Sequence, residues 1–397
     1  MKKTALLIIF LTVFIDLLGF GILIPILPIF ASKQLGITDF EIGILFASFS
    51  LVQFIFNPIM GRMSDKYGRR PLILISLVST VISYIIFSFA NSFWLLLLSR
   101  LLAGFGGSNI AVAQAYIADV TPVEERSKGM GLIGMAFGMG FMLGPMVGGF
   151  LSGFGYSVAG LVSAGFSFTA LFFAFFMLKE SLNFGQNTVG KAPAAPLGKI
   201  FDVEFTRKVL KNSDISILIF LFFLVTFSSA NIFGTFALLG NKVYKLNDRH
   251  VGYLFTIMGV VSAAVQGGLI KFLAGKIKDK VLIAAGTFIM IFGLGLLPYG
   301  GNFAGVALII SIQAVGTGML QPVVLSMISK YAGESEQGGV LGLNQSLSAL
   351  ARVLGPLWGG FSFEYIGYEF PFITGAVFMF FSFLFSLVLL RSQRFNK

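Results

Sequence analysis

Asp16 stands inside the apolar run Leu11-Thr12-Val13-Phe14-Ile15-Asp16-Leu17-Leu18. A carboxylate at membrane depth is costly, rare and functional by default, and the chemistry it offers is that of a proton carrier. It can load a proton on one side and release it on the other, driven by about 2.3 kcal/mol per elementary charge per 100 mV. The bland alternative is a structural carboxylate bonded to a neighbouring helix. Arg100 and Arg352 lie inside two further apolar runs. Near mid-membrane Arg352 should cost about 2.5–3.5 kcal/mol. With Asp16, the two arginines leave an excess positive charge in the apolar core, which suits a pocket tolerant of anionic or zwitterionic amphiphiles rather than simple cations. Nothing here reads as an enzyme: there is no catalytic dyad, phosphate-binding loop or metal cluster. The chain has no cysteine, so thiol chemistry and Cys-based metal sites are excluded, and His250, its one histidine, begins a span, where a capping or solvated role is expected.

The elements that must position these charges are membrane helices. Hydrophobic residues make up 56% of the 397 and charged ones 11%, against about 25% charged in a soluble domain. Apolar runs long enough to cross a roughly 30 Å hydrocarbon core recur from end to end. Twelve are expected, at 4–31, 39–60, 71–90, 93–117, 128–152, 156–178, 213–240, 250–273, 281–299, 302–328, 338–362 and 368–390. The first is too long for a cleavable signal peptide and carries Asp16 at its middle, so it reads as a retained helix. An even number of spans puts both termini on one side. With that side as the cytoplasm, only Lys33, Lys242, Lys245 and Arg249 of the 28 Lys and Arg fall on the opposite face, a strong positive-inside bias. The net charge of +11 is then explained by anionic lipid rather than nucleic acid.

Residues 179–212 interrupt the pattern. Asn183 to Pro196 reads as a flexible linker, and Ile200, Phe201, Val203, Phe205, Val209 and Leu210 read as a short helix lying on the membrane surface. An N-terminal six-helix bundle is expected over 1–178 and a C-terminal one over 213–397. The two are similar: Gly131-Leu132 and Gly144-Pro145-Met146-Val147-Gly148-Gly149-Phe150 recur as Gly342-Leu343 and Gly355-Pro356-Leu357-Trp358-Gly359-Gly360-Phe361. Parallel six-helix repeats are a known transporter architecture, with substrate bound near the midplane. Small residues at these repeats allow close helix approach where the halves meet, and Pro145 and Pro356 should bend their helices; packing without motion is the other reading.

Four motifs then carry a resemblance. Gly61-Arg62-Met63-Ser64-Asp65-Lys66-Tyr67-Gly68-Arg69-Arg70, a charged loop between two apolar stretches with a worn copy at Gly275-Lys276-Ile277-Lys278-Asp279-Lys280, resembles the loop between helices 2 and 3 of the major facilitator superfamily. The run from Asp16 to Pro28 is similar to the first-span signature of that superfamily's twelve-helix drug–proton antiporters. Arg100 with Gly104, Gly106 and Gly107 looks like their fourth-span signature, although Ala103 stands where it usually has glutamine. Gly140 to Gly149 looks like their fifth-span signature.

The resemblance implies an all-α membrane fold of two pseudo-symmetric six-helix bundles and proton-coupled efflux of drugs or amphiphilic small molecules by alternating access. It implies Asp16 and Arg100 as the proton-coupling pair, against snorkelling of Arg100 to the outer headgroups. It also implies a cytoplasmic latch of Gly61, Asp65, Gly68, Arg69, Arg70 and Asp119, in which Asp65 approaches a helix N-terminus and Arg69 pairs with Asp119; a mere positive-inside anchor is the alternative. Gly144, Pro145, Gly148, Gly149, Gly355 and Pro356 are its hinge or packing set. Arg352, Asn231, Gln266, Gln313, Gln321 and Asn344 are candidates for the substrate cavity, each polar one equally able to bridge helices. The expected partners are a small-molecule substrate, protons and the bilayer of a bacterial-type cytoplasmic membrane. The expected state is a monomer with no cofactor or metal, energised by the proton gradient. Tetracycline exporters carry further carboxylates in spans 3 and 9, where this chain has Ser83 and no acid, so a broader drug or amphiphile specificity fits better. An uptake symporter for a sugar or metabolite, and a non-transporting receptor or scaffold, stay open.

Overall fold

The computed structural model describes residues 2–121, 126–181, 203–211, 213–273, 276–332 and 337–391, and they form helices joined by short connections. The linker segment 182–202 lies outside the described residues. The chain divides into two units, the first of residues 1–35 and 48–201, the second of residues 36–47 and 202–397.

In the first unit α1 (Lys2–Leu35) packs on α6 (Arg126–Leu151) and α7 (Tyr156–Met177), and α3 (Arg69–Ser88) packs on α7 and on α4 (Phe93–Gly106). The helix α2 (Asp39–Tyr67) contributes all but its start to this unit, and α5 (Asn109–Val120) packs on α1 and α3. Buried Ile9, Val13, Leu77, Val112 and Tyr116 form the interior beside these contacts. The second unit repeats the scheme. Its α9 (Ser213–Leu238) packs on α14 (Gln337–Tyr365) and α15 (Phe370–Arg391), and α12 (Asp279–Gly295) packs on α15 and α13 (Phe303–Tyr331). Here α10 (Asp248–Ala264) leads through a π-turn, Val265–Leu269, into the short α11 (Ile270–Leu273). The short α8 (Val203–Lys211) lies within the expected surface-helix segment; its Val209 is buried while Arg207, Lys208 and Lys211 are exposed.

Close helix contact is made through glycine. A Cβ on Gly144 would lie 2.6 Å from Gly21 Cα, and one on Gly140 2.9 Å from Leu17 Cβ, so α6 lies backbone to backbone on α1. A Cβ on Gly355 would meet the Phe227 carbonyl and the Asn231 amide nitrogen at 2.9 Å, putting α14 against α9. Gly360 of the α14 pair meets Asp39 and Gly43 at the start of α2, whereas Gly144, Gly148, Gly355 and Gly359 make their tight approaches on α1 and α9. The reason is that α1 and α9 are the central helices of their units and a Leu-sized side chain would hold their neighbours away.

Among the described residues, eleven helical stretches are long and apolar enough to cross a membrane, α4 and α5 together counting as one. The expected span at 338–362 is present as α14, but Asn344, Gln345, Ser348 and Arg352 make it less apolar than the rest. The expected span at 93–117 is not continuous: α4 ends at Gly106, and α5 begins at Asn109. Two consecutive glycines weaken the helix there, and the backbone tightens, Ser108 N–H bonding to the Phe105 carbonyl at 3.1 Å. The segment Gly61–Arg70 is likewise no loop. Helix α2 continues to Tyr67 and α3 starts at Arg69, so Gly68 alone makes the reversal, at φ 102, a conformation that costs glycine little.

Candidate functional site

The break between α4 and α5 has a consequence for Asp16. It sets Asn109 at the first turn of α5, where its Nδ2 donates to Asp16 Oδ2 at 3.0 Å. From α7, Ser167 Oγ donates to Asp16 Oδ1 at 2.9 Å. All three residues are buried, Asp16 to 7% exposure. On α7 the small residues Ser163 and Ser167 let Gly19 of α1 approach, a Cβ there lying 3.1 Å from the Ser163 carbonyl oxygen, while Gly160 makes room for Phe87 and Ser88 of α3. No cation pairs with Asp16 among the described residues: only neutral donors hold it.

Arg100 is 4% exposed, so it does not snorkel; burial overturns that alternative. Its guanidinium lies over the Phe87 ring, 5.8 Å from the centroid, and donates to Ser99 Oγ at 3.2 Å. Ser99 Oγ in turn donates to the Ser83 carbonyl at 2.9 Å. No ion pair joins Arg100 to Asp16. Tyr84, 1% exposed on α3, interacts electrostatically with both. A Cβ on Gly19 would lie 3.2 Å from Tyr84 Cε2 and 3.4 Å from Ser167 Oγ, so Gly19 leaves room for the ring beside the Asp16 site. The sequence reading named Asp16 and Arg100 but did not single out Ser167 or Tyr84. The small-residue spacing around Ser163 and Ser167 on an otherwise phenylalanine-rich helix was the available signal.

A second polar cluster gathers at Gly68. Arg69 is 4% exposed. Its Nε donates to Asp119 Oδ2 at 3.0 Å, and its guanidinium reaches Asp65 Oδ1 at 2.6 Å, Ser64 Oγ at 2.5 Å and the Gly61 carbonyl at 3.4 Å. Asp65, expected at a helix N-terminus, therefore pairs with Arg69 in the adjacent turn. The carboxylate at a helix N-terminus is instead that of Glu180, just beyond α7, which accepts the Arg69 and Arg70 amides at 2.9 and 3.2 Å. Those first-turn N–H groups have no intrahelical acceptor and favour an anion. Ser181 Oγ and Tyr116 Oη add bonds to Asp119 Oδ2 and the Lys179 carbonyl, both at 3.0 Å. Arg70 lies over Phe175 and bonds its carbonyl. In the second unit the comparable pair is Lys330 Nζ on Asp279 Oδ2 at 2.6 Å.

The cavity candidates are scattered within the second unit. Asn231 is fully buried and donates to the Pro371 carbonyl, with its Oδ1 unpartnered. Gln313 donates to Thr317 Oγ1 at 2.8 Å. Gln266 is exposed in the π-turn and donates to Ser262 at 3.1 Å. Both amide atoms of buried Asn344 are unpartnered. Arg352 is partly buried, as is Gln321.

The Major Facilitator Superfamily model matches residues 9–312 and 251–397. A class E tetracycline resistance protein of Escherichia coli is 30% identical over 349 residues, covering 87% of this chain and 84% of that protein. Multidrug resistance protein 2 of Bacillus subtilis is 28% identical over 373 residues, covering 94% and 92%. Among solved structures, the human organic anion transporter MFSD10 aligns with a TM-score of 0.71 at 24% identity, over 97% of this chain and 99% of that one. The nucleoside transporter NupG aligns with a TM-score of 0.77 at 13% identity, over 98% and 100%.

Proposed function

The chain belongs to the Major Facilitator Superfamily, and from that premise we propose that it exports drugs or amphiphilic small molecules in exchange for protons, by alternating access. It is a multi-pass membrane transporter of a family whose members move solutes rather than transform them. Tetracycline and multidrug resistance proteins among its relatives support export, and the organic anion carried by MFSD10 supports a broad amphiphile class.

The observation that carries proton coupling is Asp16 held by Asn109 and Ser167 without a cation. A fixed counter-ion would keep the carboxylate charged, whereas two neutral donors orient it and leave the proton free to come and go. Arg100, buried over Phe87 in the same unit, supplies a positive charge whose influence changes as the helices move. The Arg69 cluster acts as the latch, its contacts with Asp65 and Asp119 breaking when that end opens. Both termini face the cytoplasm, the working unit is a monomer, and the proton gradient is the only energy source.

Inverted vesicles carrying the protein test this reading. Addition of a transported substrate should dissipate an imposed pH gradient, and Asp16→Asn should abolish that response. Substrate movement that leaves the gradient untouched would remove the proton from the account.

A further inference from the structure

The break between α4 and α5 is small in backbone terms. Gly107 stands at φ −65 and ψ −8, and Ser108 at φ −72 and ψ −4, against about −63 and −42 in a regular α-helix. Two ψ rotations of about 35° would therefore join the two helices into one. The hydrogen bonds agree: Gly107 N–H reaches Ala103, four residues back, at 2.7 Å, whereas Ser108 N–H reaches Phe105, three back.

Packing and one side chain hold the break open. On the α4 side, a Cβ on Gly106 would run into Thr80 Oγ1 of α3, and one on Gly107 would lie 2.5 Å from Gln53 Nε2 of α2. On the α5 side, buried Asn109 ties the first turn to Asp16 of α1. The two partners of Asp16 respond differently to its proton. Ser167 has a hydroxyl, which can turn and accept from a protonated Oδ1. Asn109 presents Nδ2, which can only donate. Its bond falls from charge-assisted to neutral, to roughly half the strength, and a proton on Oδ2 itself would set donor against donor. The other ionisable groups about Asp16 are Tyr84 on α3 and, through it, Arg100 on α4. Among the described residues α5 carries Tyr116 and Asp119 about two turns or more further on, and α6 and α7 carry ionisable residues only in their first turns.

We propose that the α4–α5 break is a proton-reading hinge, held open by Asn109 on charged Asp16 and closing toward a continuous helix when the carboxyl takes a proton. Closing it turns α4, which carries Arg100, relative to α5. The inference rests on Asp16 as the proton carrier and adds how its proton moves a helix, with Asn109 as the positioning residue.

Amide hydrogen exchange in the purified full chain, with neither gradient nor substrate, tests it. Rates for Ser108 to Ile110 are divided by those of the unfolded chain at the same pH. In the native protein their protection should rise about fivefold from alkaline to acidic pH, the gap between a charge-assisted and a neutral bond. Asp16→Asn should hold the higher protection at both pH values. Asn109→Leu should be indifferent to pH, whereas Ser167→Ala should keep the native response. A native break that ignores pH, or that loses protection in acid, would overturn the hinge, and that comparison needs no variant to fold. So would a response that survives in Asp16→Asn or Asn109→Leu, or that is lost equally in Ser167→Ala. Failure of the hinge and failure of proton coupling are separable: exchange reads the break without transport, and the vesicle pH gradient reads transport alone.

Discussion

The proton-carrying role proposed for Asp16 depends on what does not touch it. Asn109 and Ser167 satisfy its two oxygens, yet neither carries charge. Removing one donor leaves a buried acceptor short of a partner, which costs about 1–3 kcal/mol. Ser167→Ala should therefore lower thermal stability in detergent by an amount in that range while leaving substrate export measurable, because Asn109 still holds the carboxylate. An unchanged melting temperature would mean the Ser167 bond contributes nothing. Asp16 itself was legible in the sequence because a charge inside an apolar run is conspicuous. Its partners were less so: Ser167 lies 151 residues away along the chain, and serines in helices usually bond back to their own carbonyls, as Ser163 does to Ala159. Glu180 was missed for a similar reason, since an acid just past a span reads as an ordinary boundary residue.

Among the elements, glycine decides which helices can touch. On α6, a Cβ at Gly131, Gly134 or Gly138 would meet nothing within 4 Å, whereas one at Gly140, Gly144 or Gly148 would run into α1. Gly144→Val should thus reduce folded yield and melting temperature sharply, and Gly138→Ala should be neutral or slightly stabilising through helix propensity, by a few tenths up to about 1 kcal/mol. Comparable effects of the two would argue against the packing. Gly68 has the other kind of requirement. Its φ of 102 and the Glu180 Cδ at 3.0 Å from a would-be Cβ both oppose a side chain, so Gly68→Ala should cost about 1–3 kcal/mol, read from thermal unfolding. The order of the spans could be read from the apolar runs, although the polar residues of α14 keep hydropathy alone from picking out that helix. The break in the fourth could not, because an averaged window runs smoothly across Gly107 and Ser108, and the end of α2 was hidden because a charged segment looks like a loop even when its backbone stays helical.

At the scale of the whole molecule the two units share a packing scheme but not a chemistry. The first holds Asp16 and Arg100 in its interior; in the second, α9 has no acid beyond Asp214 in its first turn and α15 has none. Phe227 against Phe378, centroids 5.3 Å apart, packs α9 on α15 instead. The end clusters differ in the same way. Arg69 and Asp119 have side chains 5% and 19% exposed, Lys330 and Asp279 62% and 31%. A desolvated pair is costly to break because the surviving charge is stranded, whereas an exposed pair contributes about 0–1 kcal/mol. Arg69→Ala should accordingly destabilise by about 2 kcal/mol or more and Lys330→Ala by less than about 0.5, compared by melting temperature in one detergent; equal losses would contradict the asymmetry. Division of labour between the units leaves one test above the rest. In energised inverted vesicles, substrate should collapse the pH gradient for the native chain and leave it intact for Asp16→Asn; substrate-driven collapse that persists in Asp16→Asn would contradict the account.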